Sequence, residues 1–318
     1  MTDGIRLSEF RLDDGTRDLL GKEIAERVAA TELDSDADEA ILATIGAHAL
    51  GNLLPGQVLH ELEIFSVAGA HALILGNLPR QDFPDTPVHG YGDETGLAVI
   101  NALHFGLLQL LGATPFAVSY ENDGRLIRNV VPNPAASGIT SSWGADSEFF
   151  WHSDQPHLPF GEPGTDPRLY VPHYLSFYAV RNDERVPTEL TAVDGVAEAL
   201  DGHTRTLLQR PEFAVGVPAS NDLDGSVREL APARLLETAP DGRLRARYDR
   251  GTTRGVTEEG AAALAAFSES LTGAESRELV LSAGDFMIFD NTRVLHRRKA
   301  FSPLPDAGAR WLRRIYAS

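Results

Sequence analysis

Residues 149–154 read Phe-Phe-Trp-His-Ser-Asp, an aromatic run that ends in a His-X-Asp pair. Aromatic residues favour β-strands, so we expect this stretch to be extended. Side chains at positions i and i+2 of a strand point to the same face. His152 and Asp154 should therefore be directed at one point, with Ser153 directed away from it. A histidine and a carboxylate that converge in this way are candidate metal ligands.

A second stretch, Gly-Asp-Phe-Met-Ile-Phe-Asp-Asn at 284–291, is followed by His296 and then by Arg310. Two imidazoles and one carboxylate can fill one face of an octahedral metal, which is how proteins hold non-haem Fe(II) for oxygen chemistry. His152, Asp154 and His296 are therefore the predicted iron ligands and the predicted catalytic group. The open positions suffice for a bidentate 2-oxo acid and O2, and an arginine suits a distal carboxylate of that acid.

By itself, His-X-Asp is a weak signal, because such a pair is more often an ordinary surface or core feature. The context is more specific. Residues 284–316 read GDFMIFDNTRVLHRRKAFSPLPDAGARWLRRIY, and residues 124–130 read GRLIRNV. These segments resemble the Fe(II)/2-oxoglutarate-dependent oxygenases of the taurine dioxygenase-like superfamily, above all the group of clavaminate synthase and the arginine and asparagine β-hydroxylases. The similarity covers roughly residues 60–318.

The resemblance implies roles for residues that bind the co-substrate. Arg310 stands where the relatives carry the arginine that pairs with the distal carboxylate of 2-oxoglutarate, and Arg313 and Arg314 are close rivals for that role. In the amino-acid hydroxylases, an arginine at the place of Arg314 meets the substrate carboxylate. A threonine that helps to hold the co-substrate corresponds to Thr188.

The resemblance also implies contacts with an amino-acid substrate. The relatives bind the substrate amino group with a glutamine just before Gly-Arg-Leu, where this chain has Glu121 and Asn122. A carboxylate or an amide still suits an ammonium group. Ser141 and Ser142 match a region that contacts the substrate through backbone and hydroxyl groups.

The far end of the substrate should lie near Asp249. The arginine hydroxylases hold the guanidinium group with an Asp-X-Asp pair, but the second position of that pair is Gly251 here. One carboxylate cannot provide the same two-sided grip. We therefore expect arginine to be a poorer substrate than an amino acid with a different side chain.

The composition narrows the class of protein. The 318 residues include no cysteine, which excludes disulfides and thiolate metal sites. The net charge of −18 argues against nucleic-acid binding, which depends on contacts between cations and phosphates. The sequence begins with neither a basic nor an apolar segment, and no apolar run reaches the length of a membrane span. We expect a cytoplasmic protein that acts on a small molecule.

The residue pattern favours an α+β fold with a mainly β core. Helical spacing of apolar residues predicts helices at 16–31, 38–50 and 93–112, and short β-rich runs dominate after residue 115. We expect a double-stranded β-helix, also called a jelly roll or cupin-like fold, braced by N-terminal and inserted helices. The whole chain, 1–318, should form one domain, with residues 1–60 as a helical part packed on the barrel. The segment 156–172, rich in Pro and Gly, is a candidate lid.

The expected reaction is hydroxylation of an unactivated C–H bond in a free amino acid or close derivative, with 2-oxoglutarate converted to succinate and CO2. Desaturation or ring closure would use the same residues, so the sequence leaves them open. A taurine-dioxygenase-like enzyme for a substrate without an amino group is a further alternative. A non-catalytic jelly-roll binding protein and a metal hydrolase are more remote ones. The sequence leaves the oligomeric state open.

Overall fold

The computed structural model describes residues 4–138, 142–161, 164–218, 229–305 and 308–318. The helices are α1 (Asp14–Ala29), α2 (Glu39–Leu53), α3 (Gly56–Ala68), α4 (Ala98–Leu110), α5 (Val193–Glu198), α6 (Gly202–Leu208) and α7 (Glu258–Gly273). The strands are β1 (Leu7–Arg11), β2 (Ala72–Gly76), β3 (Pro115–Phe116), β4 (Arg128–Val130), β5 (Phe149–His152), β6 (Tyr174–Arg181), β7 (Thr188–Ala192), β8 (Phe213–Val215), β9 (Leu230–Ala233), β10 (Leu236–Thr238), β11 (Leu244–Ala246), β12 (Thr253–Gly255), β13 (Arg277–Leu279), β14 (Phe286–Asp290), β15 (Val294–Arg298) and β16 (Trp311–Ala317). Within these ranges, no helix is both long enough and apolar enough to cross a membrane.

The largest sheet has the strand order β1-β2-β14-β6-β16-β3, and β4 also pairs with β16. The pair β1–β2 is parallel, and the other pairs are antiparallel. Every residue of β2 and β16 is buried, so both faces of this sheet are covered. Alternate residues of a strand face opposite sides, which explains how one sheet serves two cores. Leu73 and Leu75 pack in the core shared with α1–α4, whereas Ala72 and Ile74 pack in the core on the opposite face.

A second antiparallel sheet has the order β13-β7-β15-β5. Its residues Leu190 and Val294 share a hydrophobic cluster with Phe177 and Phe289 of the first sheet. The two sheets therefore pack against each other through a common core. A separate cluster on the other side of the second sheet includes Trp151 and residues of α5, α6 and α7.

The helices at the N-terminal end form as the sequence predicts, with boundaries shifted by a few residues. Asp13 accepts a hydrogen bond from the Thr16 N–H at the start of α1, a typical N-cap. α3 was not predicted. It lies between a proline at its start and Gly69, which has a φ of 82° at its end. α2 and α4 cross where Gly46 meets Gly106, and a Cβ on either residue would collide with the backbone of the other helix.

Some strand predictions differ from the structure. The edge strand β1 was missed because its sequence, Leu-Ser-Glu-Phe-Arg, has little apolar character of its own. It is extended because it pairs along its whole length with the buried strand β2. Farther along the chain, α5 and α6 are two separate short helices, and Asp201 caps the second by accepting from the Thr204 N–H.

Candidate metal centre and substrate cavity

The structure brings the three predicted metal ligands together. β5 ends at His152, Asp154 follows it, and the antiparallel register places His296 of β15 directly opposite His152. The Nε2 atom of each histidine lies 3.4 Å from Oδ1 of Asp154, and the two imidazole centroids are 4.0 Å apart. One ligand atom from each of the three side chains lies within 4.8 Å of the others. This spacing suits a single metal ion.

The surroundings of His152 fix its tautomer and those of His296 keep it uncharged, as metal coordination by an imidazole requires. Nδ1 of His152 lies 2.7 Å from the carbonyl oxygen of Phe150, which can only accept, so Nδ1 carries the proton and Nε2 offers its lone pair. That buried Nε2 makes no hydrogen bond within the described residues. Burial, and then the neighbouring His152, lower the pKa of His296 to about 4, which keeps its imidazole neutral at neutral pH.

Asp154 is held so that one of its oxygens is left for a metal. Oδ2 accepts hydrogen bonds from Nη1 of Arg314 at 2.8 Å and from the hydroxyl of Tyr316 at 3.0 Å. The backbone of Asp154 is fixed by the side chain of Asn291, which accepts from its N–H and donates to its carbonyl. Burial alone would raise the pKa of Asp154, but Arg314 and the two histidines hold it well below its usual range. Oδ1 remains directed at the histidines.

Arg310 and Thr188, the predicted co-substrate residues, line the same cavity as the three candidate metal ligands. The empty volume of this cavity, including the part open to solvent, is about 680 Å³. Nη2 of Arg310 lies 3.4 Å from the hydroxyl of Thr188, and its backbone N–H donates to Glu184. Burial lowers the pKa of Arg310 to about 9. Arg313, another candidate for the co-substrate carboxylate, points to the side of the sheet covered by α1–α4, where its guanidinium donates to Glu94.

The predicted substrate residues divide into two groups. Arg314 and Ser142 line the cavity, and Glu121 lies just behind it with Oε1 2.7 Å from Nη2 of Arg314. Asn122 and Asp249 are not among the described residues that line the cavity. Their roles remain predictions.

The side chains of Asn122 and Asp249 are engaged with nearby backbone. Nδ2 of Asn122 donates to the Ile127 carbonyl at 2.8 Å. Oδ1 of Asp249 accepts from the N–H groups of Gly251 and Thr252, as in a turn that an aspartate stabilises locally. Ser141 lies outside the described residues.

Comparison with known proteins places the chain in a family. The sequence model of the protein family described as "Taurine catabolism dioxygenase TauD, TfdA family" matches residues 101–316. The chain belongs to this family. Among curated proteins, it is 27% identical to enduracididine beta-hydroxylase of Streptomyces hygroscopicus over 66% of this chain, and it spans 65% of the length of that relative. It is 24% identical to L-lysine 3-hydroxylase of Catenulispora acidiphila over 92% of this chain and 79% of that protein.

Asparagine oxygenase is similar in both sequence and structure. The chain is 28% identical to L-asparagine oxygenase of Streptomyces coelicolor over 77% of this chain and 70% of that protein. A solved asparagine oxygenase in complex with Fe(II), 2S,3S-3-hydroxyasparagine and succinate has a TM-score of 0.79 and 25% identity, covering 97% of this chain and 92% of that one. The non-heme iron oxygenase OrfP also has a TM-score of 0.79, with 21% identity and coverage of 97% and 93%, which supports the shared fold alone.

Three residues of this TauD/TfdA member were missed by sequence reasoning. Gln155 lines the cavity, and Tyr316 supports it by donating to Asp154. Gln155 donates to Glu121 Oε2 at 2.7 Å and to the Tyr316 hydroxyl at 3.1 Å. Arg128 forms an ion pair with Glu121 and donates to the hydroxyl of Ser142 at 3.1 Å. Tyr316 lies within the segment 284–316 and Arg128 within the segment 124–130, both of which resemble the family. No sequence signal separates Gln155 from an ordinary loop residue.

Proposed function

We propose that this protein is an Fe(II)- and 2-oxoglutarate-dependent oxygenase that hydroxylates an unactivated C–H bond of a free amino acid or close derivative. The observation that carries the proposal is the joint placement of His152, Asp154 and His296 with Arg310 and Thr188 in one cavity. The overall reaction couples substrate oxidation by O2 to conversion of 2-oxoglutarate into succinate and CO2.

The residues present fit iron. His152, Asp154 and His296 offer two neutral nitrogens and one carboxylate oxygen, the donor set of non-haem Fe(II) oxygenases. Bound there, Fe(II) would supply the redox chemistry that O2 requires. The protein contributes orientation: the hydrogen bonds from Arg314 and Tyr316 to Oδ2 of Asp154 direct Oδ1 toward the metal position.

Arg310 fits the distal carboxylate of 2-oxoglutarate. Its guanidinium is buried, and Thr188 is its hydrogen-bond partner among the described side chains. A buried guanidinium is stabilised by a carboxylate in the fork geometry that arginine offers. The hydroxyl of Thr188 can donate to the same carboxylate.

An amino-acid substrate is supported by the relatives. Enduracididine beta-hydroxylase, L-lysine 3-hydroxylase and L-asparagine oxygenase are named for such substrates. In this chain, Arg314 remains our candidate for the substrate carboxylate, and Glu121, Asn122, Ser142 and Asp249 remain candidates for other contacts.

We also propose that the two packed sheets form a jelly roll and that residues 1–318 are a single domain. The shared core between the sheets supports this architecture. The cytoplasmic location stays a prediction from the sequence, as does the absence of nucleic-acid and membrane partners.

An amino-acid panel tests the proposed function. The purified protein is incubated with Fe(II), 2-oxoglutarate and O2, and mass spectrometry follows both the amino acid and succinate. We expect one amino acid to gain one oxygen atom, with succinate formed in equal amount. Loss of two hydrogens instead would indicate desaturation or ring closure. Turnover only of compounds without an amino group would contradict the amino-acid assignment.

A further inference from the structure

Two arginines face each other beside the metal centre. Arg128 of β4 is the direct cross-strand neighbour of Arg314 on β16. Both line the cavity, and their exposed fractions are 3% and 6%. Like charges directly opposite each other on neighbouring strands destabilise a sheet, so this arrangement needs a compensating anion.

The compensation within the protein is incomplete. Oε1 of Glu121 contacts both guanidinium groups, and its Oε2 accepts from Gln155, so one carboxylate serves two arginines. Asp154 also accepts from Arg314, but in the proposed function its charge offsets that of the metal. The buried Nε atoms of Arg128 and Arg314 have no hydrogen-bond acceptor within the described part of the chain.

Two guanidinium charges, on Arg128 and Arg314, against the one carboxylate charge of Glu121 leave one positive charge at the cavity wall. Burial, and then the charge of Arg314 on the neighbouring strand, lower the pKa of Arg128 to about 10. A buried charge that is only partly compensated is costly, and an anionic ligand reduces that cost. Ser142, whose hydroxyl accepts from Nη2 of Arg128, holds the guanidinium in place at the wall.

We propose that Arg128 joins Arg314, already our candidate for the substrate carboxylate, in binding that group, and that Arg128 is a specificity-determining residue that selects a free carboxylate over an uncharged group. In this arrangement, Glu121 keeps the two guanidinium groups together when the cavity holds no substrate. The proposal rests on the proposed function, because it concerns the amino-acid substrate of the same site.

The experiment compares acids with their uncharged counterparts. L-Asparagine, L-leucine, L-lysine and L-arginine are each assayed beside the corresponding α-carboxamide, with succinate formation as the readout. The variants are Arg128→Met, Arg128→Lys and, as a control, Arg125→Met. Arg125 is an exposed residue of the same segment that stacks on Tyr91 at 4.4 Å from its ring centroid.

For the acids, Arg128→Met should raise KM roughly 10- to 100-fold, the effect of losing a hydrogen bond to a charged group. For the carboxamides, KM should change little, so the preference for acid over amide collapses. Arg128→Lys keeps the charge but loses the fork geometry, so its KM for the acids should lie between those of the wild type and Arg128→Met. Arg125→Met should match the wild type, and the KM for 2-oxoglutarate should be unchanged in all variants.

The outcomes separate the two proposals. If Arg128→Met weakens acids and amides equally, Arg128 has only a structural role and the inference is wrong. If the wild-type protein turns over none of the acids, the proposed amino-acid function fails first, and the carboxylate assignment fails with it. Should Arg128→Met fail to fold, an unchanged acid-to-amide preference in Arg128→Lys overturns the inference, and a reduced preference supports it.

Discussion

Replacing Arg310 by methionine should separate co-substrate binding from stability. The guanidinium is 4% exposed, and its Nε has no acceptor within the described residues. Truncating one partner of a buried charge pair costs about 2–5 kcal/mol, which corresponds to a rise of roughly 30- to 4,000-fold in the Kd for 2-oxoglutarate. Without 2-oxoglutarate, the variant loses a desolvated charge and a long hydrogen bond, 3.4 Å from Nη2 to the Thr188 hydroxyl. Its Tm should therefore equal or exceed that of the wild type.

Thermal unfolding with Fe(II) under anaerobic conditions measures both effects. A ligand that binds only the folded state raises Tm as its concentration rises. Titration with 2-oxoglutarate should shift the Tm of the wild type but not that of Arg310→Met. Thr188→Val is the graded control: it removes one neutral hydrogen-bonding group, so the Kd should rise only about 2- to 12-fold.

A response of Arg310→Met to 2-oxoglutarate like that of the wild type would show that Arg310 does not bind the co-substrate. If Arg314→Met loses that response instead, the roles of the two arginines must be exchanged. A large drop in the Tm of Arg310→Met without 2-oxoglutarate would contradict the expected stability of this variant. It would mean that groups of the protein itself stabilise the charge of Arg310.

Three further predictions concern the metal and the helical layer. His152→Ala or His296→Ala should abolish Fe(II) binding, and an anaerobic titration that matches the wild type would show that the ligand assignment is wrong. Tyr316→Phe removes one of the hydrogen bonds to Asp154, so Fe(II) affinity should fall roughly 10-fold, measured by competition with a chelator. Gly46→Ala should lower Tm by several degrees through overpacking of the crossing between α2 and α4, while Fe(II) affinity stays unchanged; an unchanged Tm would contradict the close helix contact.

The placement of the metal triad was predictable because its signals are local or strongly patterned. His152 and Asp154 stand two residues apart at the end of an aromatic run, and His296 belongs to a long motif. The helices α1, α2 and α4 follow from apolar spacing, and Asp13 and Asp38 cap the first two. The helices depend on neighbours in sequence, which a single chain reveals, whereas the pairing of His296 with His152 was implied by the resemblance of residues 284–316 to the family.

The substrate side was less predictable because it depends on contacts between distant segments. Glu121 lies just behind the cavity, and its partners Arg128 and Gln155 reach it from segments that the fold of β4, β16 and the turn after Asp154 brings together. Asn122 stands next to Glu121 in sequence, yet its amide is used to hold its own turn. Adjacency in sequence does not decide which side chain faces a cavity.

The order of strands in the large sheet has a consequence for how the chain reaches its native state. β6 lies between β14 and β16, both of which occur more than 100 residues further along the chain. Pairings between such distant segments make folding slow, because the entropy of closing a long loop is lost before the contacts form. Until then, both edges of β6, whose six central residues become buried, stay unpaired and open to aggregation. Low temperature and slow synthesis should therefore raise the yield of folded protein more than added Fe(II), whose binding site forms only after β15 has paired with β5.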